Sequence, residues 1–276
     1  MRYSDDQLRQ YIARIGAAEP KVDIAGLQAV QRAHRLAIAF ENLDIPLGVG
    51  IRLDPDHLFD KLVTRRRGGY CFEQNALFLS MLHAIGFQAR PLLARVWLRT
   101  TPGEPAPPRT HTLNMVTLDG VDHIADAGFG GSYAPPMPLV ADETVRSEDG
   151  ARHRLVRDRE HGWMLQRDAG GGWERQYSFT TERVWPSDLE AANHWTASRP
   201  DTRFTRLRIV SRALPDGYAS LVDRQLTLSH AGESQSVEVA GPRQYRELLH
   251  ELFGLDLEQR EVEALGLFEG GEEQCG

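Results

Sequence analysis

RRGGYCFEQN, residues 66–75, decides how this chain is read. Gly68 and Gly69 relieve the backbone of side-chain clashes just ahead of Cys71. The stretch after the cysteine, FEQNALFLSMLHAIG, holds good helix formers and stops at Gly86, a residue suited to the C′ position. Cys71 is therefore placed at a helix N-terminus, where unpaired amides and the positive end of the helix dipole favour thiolate, the nucleophilic form. A cysteine taken alone reads first as a small core residue. The paired glycines and the flanking Arg67 and Glu73 argue otherwise, because a nucleophile needs an accessible backbone elbow and a core residue does not.

Composition narrows the function classes. The chain has 276 residues, 41% hydrophobic and 26% charged, with a formal net charge of -7, enough length for a proper core and no basic footprint for nucleic acid. Its two cysteines, Cys71 and Cys275, do not make a disulfide framework. The N-terminus MRYSDDQLRQ lacks an apolar signal core, and no apolar run is long enough to span a bilayer, so the protein is expected to be cytoplasmic.

Upstream of the opening stretch, Ser4 and Gln7 have capping-box spacing, and Leu8, Tyr11, Ile12 and Ile15 recur at helical intervals up to Gly16. A second helix is expected from Asp23 to about His34, and a third from Asp54 as N-cap with Pro55 at its first position. The first 86 residues thus read as a helical bundle. Downstream, QARPLLARVWLRT reads as a strand, TPGEPAPPRT as a proline-rich loop, and HTLNMVTLDGVDHIADAGFGG as a hairpin turning at Asp119-Gly120. A second hairpin is expected around Gly170 to Gly172, making the middle third an antiparallel sheet, in the form of a small barrel. In the last third, Ser187 to His194 reads as a short helix, TRFTRLRIVSR and YASLVDRQLTLSH as strands, and PRQYRELLHELFG as a closing helix.

The hairpin supplies partners for the cysteine. With Asp119-Gly120 as a two-residue turn, Leu118 pairs with Val121, Met115 with Ile124, and Leu113 with Asp126. One face then carries His111, Leu113, Met115, Ile124 and Asp126, with His111 and Asp126 as diagonal neighbours roughly 7–8 Å apart, within reach of each other's side chains. Each is costly to bury alone on an apolar face, and pairing removes much of that cost. Cys71, His111 and Asp126 together suggest a triad in which cysteine and histidine form an ion pair and aspartate holds the imidazole tautomer. A metal site is not expected, because His111 and His123 fall on opposite faces and no cysteine or histidine pair has zinc spacing. GFGGS, residues 128–132, is a weak phosphate-cradle motif through Gly128, Gly130, Gly131 and Ser132.

Taken together, RRGGYCFEQN, the AFENLDIPLG stretch at residues 39–48, HTLNMV and DAGFGG resemble the arylamine N-acetyltransferases, with the motifs in the same order from the N-terminal helices to about Leu228. The resemblance implies an α+β fold with a cysteine-protease-like Cys-His-Asp core: a helical bundle (1–86), an antiparallel β-barrel (87–195) and an α/β lid (196–276). It also implies acetyl-coenzyme A as co-substrate, with acetyl passing to Cys71 and then to an arylamine or aryl hydrazine, an activity belonging to xenobiotic metabolism. By the same resemblance Phe40, Val96, Phe129 and Phe204 line the acceptor pocket, and Glu41 forms a structural ion pair with Arg66. The protein is expected as a monomer or homodimer. A thiol hydrolase or amidase, or a macrolactam-forming amide synthase, would use the same three residues, and a binding module with a relic triad is the reading from another class.

Overall fold

The computed structural model describes residues 3–101, 103–130, 132–215, 217–230 and 233–268. The chain opens with helices α1 (Asp5–Ile15) and α2 (Ile24–Ala37), the short strand β1 (Phe40–Glu41), and helices α3 (Pro55–Phe59) and α4 (Cys71–Ile85). Their ends follow the local chemistry. The Ser4 hydroxyl accepts from the Gln7 amide at 3.2 Å, Asp23 and Asp54 cap α2 and α3, and Gly16 and Gly86 close α1 and α4 with positive φ. α3 runs on into a π-helical turn, Asp60–Thr64, which carries Lys61 into the interior.

Strands β2 (Gln88–Val96), β3 (Arg109–Leu118), β4 (Val121–Ala125), β5 (Met137–Pro138), β6 (Thr144–Arg146), β7 (Arg152–Asp158), β8 (Gly162–Asp168) and β9 (Glu174–Phe179) form one antiparallel sheet in the order β5-β4-β3-β2-β9-β8-β7-β6. It curls into a nearly closed barrel. α5 (Pro186–Ser198) and α6 (Arg203–Arg206) lead to β10 (Ile209–Leu214), β11 (Gly217–Val222), β12 (Gln225–His230) and β13 (Glu233–Glu238), which extend from β1 as a second sheet. α7 (Pro242–Phe253) and α8 (Gln259–Ala264) cover that sheet, their core built on Tyr245, Leu249, Phe253 and Val262 packed on Val210 and Leu221.

The β3–β4 hairpin has the expected register, Leu118 opposite Val121 and Met115 opposite Ile124, around a turn with φ of 48° at Asp119 and 78° at Gly120. Leu113, Met115 and Ile124 enter the barrel core, while Val116, Leu118 and Ala125 join the core of the helical bundle. The hairpin is thus sandwiched between two cores, and both of its faces are apolar.

Several expectations change. TRFTR is not a strand: the Thr202 hydroxyl accepts from the Thr205 amide at 3.3 Å and starts α6 there. α5 is longer than expected at both ends, with Pro186 at its first position, and so spans residue 195. YASLVDRQLTLSH is two strands turning at Asp223, whose φ is 48°. β13 and α8 were not anticipated. Glu41 pairs with Arg67 rather than Arg66: the φ of 54° at Arg66 turns the chain so that Arg66 is exposed and Arg67 points inward.

Candidate active site

Cys71 is the first residue of α4 and lies in a small core that joins the three regions, with Phe40, Tyr70, Phe72, Leu93, Val184 and Ile209. Its approach is held by charge as well as packing. Arg67 donates to Glu41 at 2.8 Å and to Asp44 at 2.9 Å, Lys61 reaches Asp44 at 2.6 Å and Glu73 at 2.7 Å, and all five side chains are buried. Glu73 also accepts from the Tyr70 amide at 3.0 Å, which caps α4 just ahead of the cysteine. With three carboxylates and two cations, burial and the nearby Glu41 push Glu73 up to about 7 against the pull of Lys61. Gly68 is needed for close approach, since a Cβ there would sit 2.3 Å from the Ala39 carbonyl oxygen.

The His111 Nε2 lies 2.7 Å from Asp126 Oδ2, so the pair read from the hairpin register does meet. Asp126 Oδ1 accepts from Asn75 Nδ2 and from the Gly128 amide, both at 3.0 Å. Burial alone would raise the Asp126 carboxyl, but His111, Asn75 and Arg35 outweigh it and hold the group below the usual range. The carboxylate is thus charged, fixed in orientation, and aimed at one imidazole nitrogen.

The thiol behaves differently from the dipole argument alone. Burial pushes the Cys71 thiol well up and the Asp126 charge adds to this, while the amides of Phe72 and Cys71 itself act in the opposite direction. Its Sγ donates to the Thr110 carbonyl at 3.7 Å, beside His111 in sequence. A helix N-terminus does not by itself give a thiolate in this setting. A positive neighbour is required.

Aromatic rings wall the site. Phe129 meets His111 edge-on with centroids 5.0 Å apart, and Tyr177 completes the cluster at 5.1 Å from His111 and 5.0 Å from Phe129. The Tyr177 hydroxyl is buried beside Asp126 with no hydrogen bond of ordinary geometry, and burial first and Asp126 second keep it protonated. Phe40 and Phe204 lie 6.0 Å apart beside Tyr70, and Val96, opposite Tyr177, borders the barrel core.

Two donors of the expected phosphate cradle, the Gly128 amide and the Ser132 hydroxyl, are engaged within the protein. The Gly128 amide serves Asp126, the Gly130 carbonyl accepts from Ser211 at 3.2 Å and Tyr218 at 3.0 Å, and the Ser132 hydroxyl donates to Gln176 at 3.1 Å. Gly131 and Cys275 lie outside the described residues. Beside Ser132 opens a cleft of about 600 Å³ lined by Arg32, Arg35, Tyr133, Arg167 and Tyr218. Arg35 is the notable lining residue: it donates to the carbonyls of Phe129 at 3.0 Å and Ser132 at 3.3 Å, and its buried Nε has no partner.

Sequence reasoning assigned no role to Gln31, Arg35, Asn75 or Tyr177. Asn75 stood in the opening stretch itself, and its position one helical turn after Cys71 was the available signal. No group of side chains able to hold a metal ion occurs among the described residues, and no helix there is long and apolar enough to cross a membrane.

The architecture, with a cysteine opening a helix packed on a His-Asp hairpin, defines an α+β fold with a thiol site of the kind that acyltransferases and thiol hydrolases share. A family model described as N-acetyltransferase matches residues 23–262. The chain is 40% identical over 214 residues to the arylamine N-acetyltransferase of Escherichia coli (strain K12), covering 76% of this chain and 74% of that one. It is 36% identical over 256 residues to that of Mycobacterium tuberculosis (strain H37Rv), covering 91% and 89%. Among solved structures, the Salmonella typhimurium enzyme superposes with a TM-score of 0.89 at 33% identity, covering 95% of this chain and 98% of that one. The Mycobacterium marinum enzyme in complex with CoA gives 0.88 at 30%, covering 94% and 97%. The chain belongs to the arylamine N-acetyltransferase family.

Proposed function

We propose that the protein transfers acetyl from acetyl-coenzyme A to arylamines or aryl hydrazines by a ping-pong route through acetyl-Cys71, with Cys71, His111 and Asp126 as its catalytic residues. The observation that carries this is the 2.7 Å contact of His111 with a carboxylate held by Asn75 and Gly128, on the hairpin that packs against the helix Cys71 opens.

Because burial opposes a lone thiolate, the Cys71 proton passes to His111 Nδ1 as the sulfur attacks the thioester carbon of the donor. Asp126 stabilises the imidazolium that forms. The coenzyme leaves as its thiol, taking the proton back from His111, and acetyl-Cys71 remains. An aromatic amine, neutral at pH 7, then attacks the acetyl carbon, gives its proton to His111, and the Cys71 sulfur is released and reprotonated. The amides at the start of α4 supply stabilisation of the oxyanion.

Phe40, Val96, Phe129 and Phe204 serve as the acceptor walls in this reading, with Phe129 the nearest to the chemistry because its ring stands against His111. The donor's phosphates are placed in the cleft beside Ser132, where Arg32 and Arg167 pair with Glu148 and Asp149 of the same lining and Arg35 keeps a buried Nε with no hydrogen-bond partner among the described residues. Gly128 serves the site chiefly by letting the backbones approach. We further propose the three-part division into bundle, barrel and lid as the functional layout, with the nucleophile on the first part and the His-Asp pair on the second.

Intact mass after mixing with acetyl-coenzyme A tests the reading. One added acetyl group is expected on wild type, discharged by arylamine, and none on Cys71→Ala. Thiol release at the same rate with and without amine would overturn transfer in favour of hydrolysis.

A further inference from the structure

We propose that His34 is a positioning residue for Cys71, acting through Gln74 in a one-way buried hydrogen-bond relay that starts at the Tyr11 hydroxyl. The proposal rests on the reading of Cys71 as nucleophile. Tyr11, His34 and Gln74 are all buried, on α1, α2 and α4. The Tyr11 hydroxyl is 2.8 Å from His34 Nδ1, and His34 Nε2 is 2.8 Å from Gln74 Oε1. Gln74 Nε2 then donates to the carbonyls of Ala39 at 3.0 Å and Gly69 at 3.1 Å.

The direction of every bond in this chain follows from its far end. Two carbonyl oxygens can only accept, so the Gln74 amide group must face them and its oxygen must face His34. His34 therefore donates from Nε2, which leaves Nδ1 as an acceptor for the Tyr11 hydroxyl. The ring is kept neutral by its burial first, with Arg14 and Arg35 nearby, which bring it down to about 3. No atom in the relay has a second consistent role.

What the relay holds is the approach to the nucleophile. Phe40 and Gly69 face each other across a short parallel bridge, the Gly69 amide donating to the Ala39 carbonyl at 3.3 Å and the Glu41 amide to the Gly69 carbonyl at 3.1 Å. One carbonyl lies two residues before Cys71, and the other adjoins Phe40. Gln74 ties both to the helix that begins at Cys71, whose last preceding carbonyl, Tyr70, accepts the Gln74 amide at 3.0 Å. Turning the Gln74 side chain over would set its oxygen against two carbonyls and push the thiol's backbone elbow away from the strand that carries Phe40.

The test uses Gln74→Leu, which removes the tie and the acceptor that sets the His34 tautomer, and Tyr11→Phe, which removes only the hydroxyl that holds the Nδ1 side of the ring. Alkylation of Cys71 by iodoacetamide is the readout, because it needs no acyl donor, so that failure of wild type to form acetyl-Cys71 is scored separately as failure of the transferase reading. The expected result at pH 7 is a single Nε2–H tautomer of His34 by nitrogen NMR in wild type and in Tyr11→Phe, mixed tautomers in folded Gln74→Leu, and alkylation at least threefold slower in Tyr11→Phe and at least tenfold slower in folded Gln74→Leu. A merely structural role would lower the melting temperature and leave the alkylation rate of the folded protein alone. Folded Gln74→Leu with alkylation within twofold of wild type would overturn the proposal. Should Gln74→Leu not fold, Tyr11→Phe decides by itself, and a wild-type rate there overturns it equally.

Discussion

Gly128 and Cys71 are packed backbone against backbone: a Cβ built on Gly128 would stand 2.9 Å from the Cys71 carbonyl oxygen and 3.0 Å from its Cα. The same Cβ would come 2.7 Å from Asn75 Nδ2, the group that orients Asp126. Gly128→Ala is therefore expected to destabilise the fold by about 2 kcal/mol, the ordinary cost of overpacking. It is also expected to slow formation of acetyl-Cys71 by at least tenfold, because the helix start and the hairpin must separate. Thermal unfolding together with intact mass against time checks both, and a variant with unchanged acetylation would remove this contact from the machinery.

The features legible in the sequence were those fixed within a few residues. Asp119-Gly120 sets its own turn through two positive φ values, and that turn set the register that brought His111 to Asp126. Glycine beside Cys71 marked a close approach, which Gly68 makes against Ala39. The features not legible depended on distant partners or on a local backbone choice that side chains do not announce. Gln31 accepts from the Asp126 amide across 95 positions, and nothing near Gln31 indicates it. Arg66 and Arg67 are adjacent and chemically identical, so only the left-handed backbone at Arg66 decides which one reaches Glu41. β13 has all six residues exposed and so shows no apolar alternation.

That choice between the arginines gives a direct contrast. Arg67→Met leaves Glu41 without its ion-pair partner and removes one of the two cations at Asp44, all buried, and is expected to cost about 3–5 kcal/mol. Arg66→Ala changes an exposed side chain and is expected to stay within about 0.5 kcal/mol. Urea unfolding of the two variants decides, and equal losses would show that the buried network is not what holds this loop.

The buried groups also set a pH dependence with opposing signs. His34 is brought down to about 3 and His153 to about 4, each by burial first, so between these values and the ordinary histidine value of 6.5 the unfolded chain binds protons that the native protein does not. Their contribution to stability is complete above 6.5 and is lost on acidification. Glu73, raised from 4.5 to about 7, holds a proton in the native state that the unfolded chain has released, so its contribution is complete below 4.5 and is lost as pH rises. Between pH 4.5 and 6.5 the two effects partly cancel. Glu73→Gln removes one of them, and the stability of the variant is expected to rise with pH more steeply than wild type by about 1.4 kcal/mol per pH unit. Urea titrations at pH 4.5, 5.5 and 6.5 measure this, and parallel curves would rule out a proton on Glu73.

Asp126→Asn separates geometry from charge, because its environment leaves asparagine one orientation. The Asn75 side chain and the Gly128 amide both donate to Oδ1, so the oxygen of asparagine must stay there and its amide nitrogen must face His111. His111 Nε2 then has to accept, and the imidazole proton moves to Nδ1, where it blocks uptake of the Cys71 proton. Acetyl transfer is expected to fall by roughly 10⁴, the loss that an equivalent tautomer reversal produces in serine hydrolases, while the melting temperature changes little. Since Cys71 is buried and its thiol pushed up, no other group in the site compensates. Activity within tenfold of wild type would mean that Asp126 does not set the tautomer, and the role of the His111–Asp126 contact would reduce to packing.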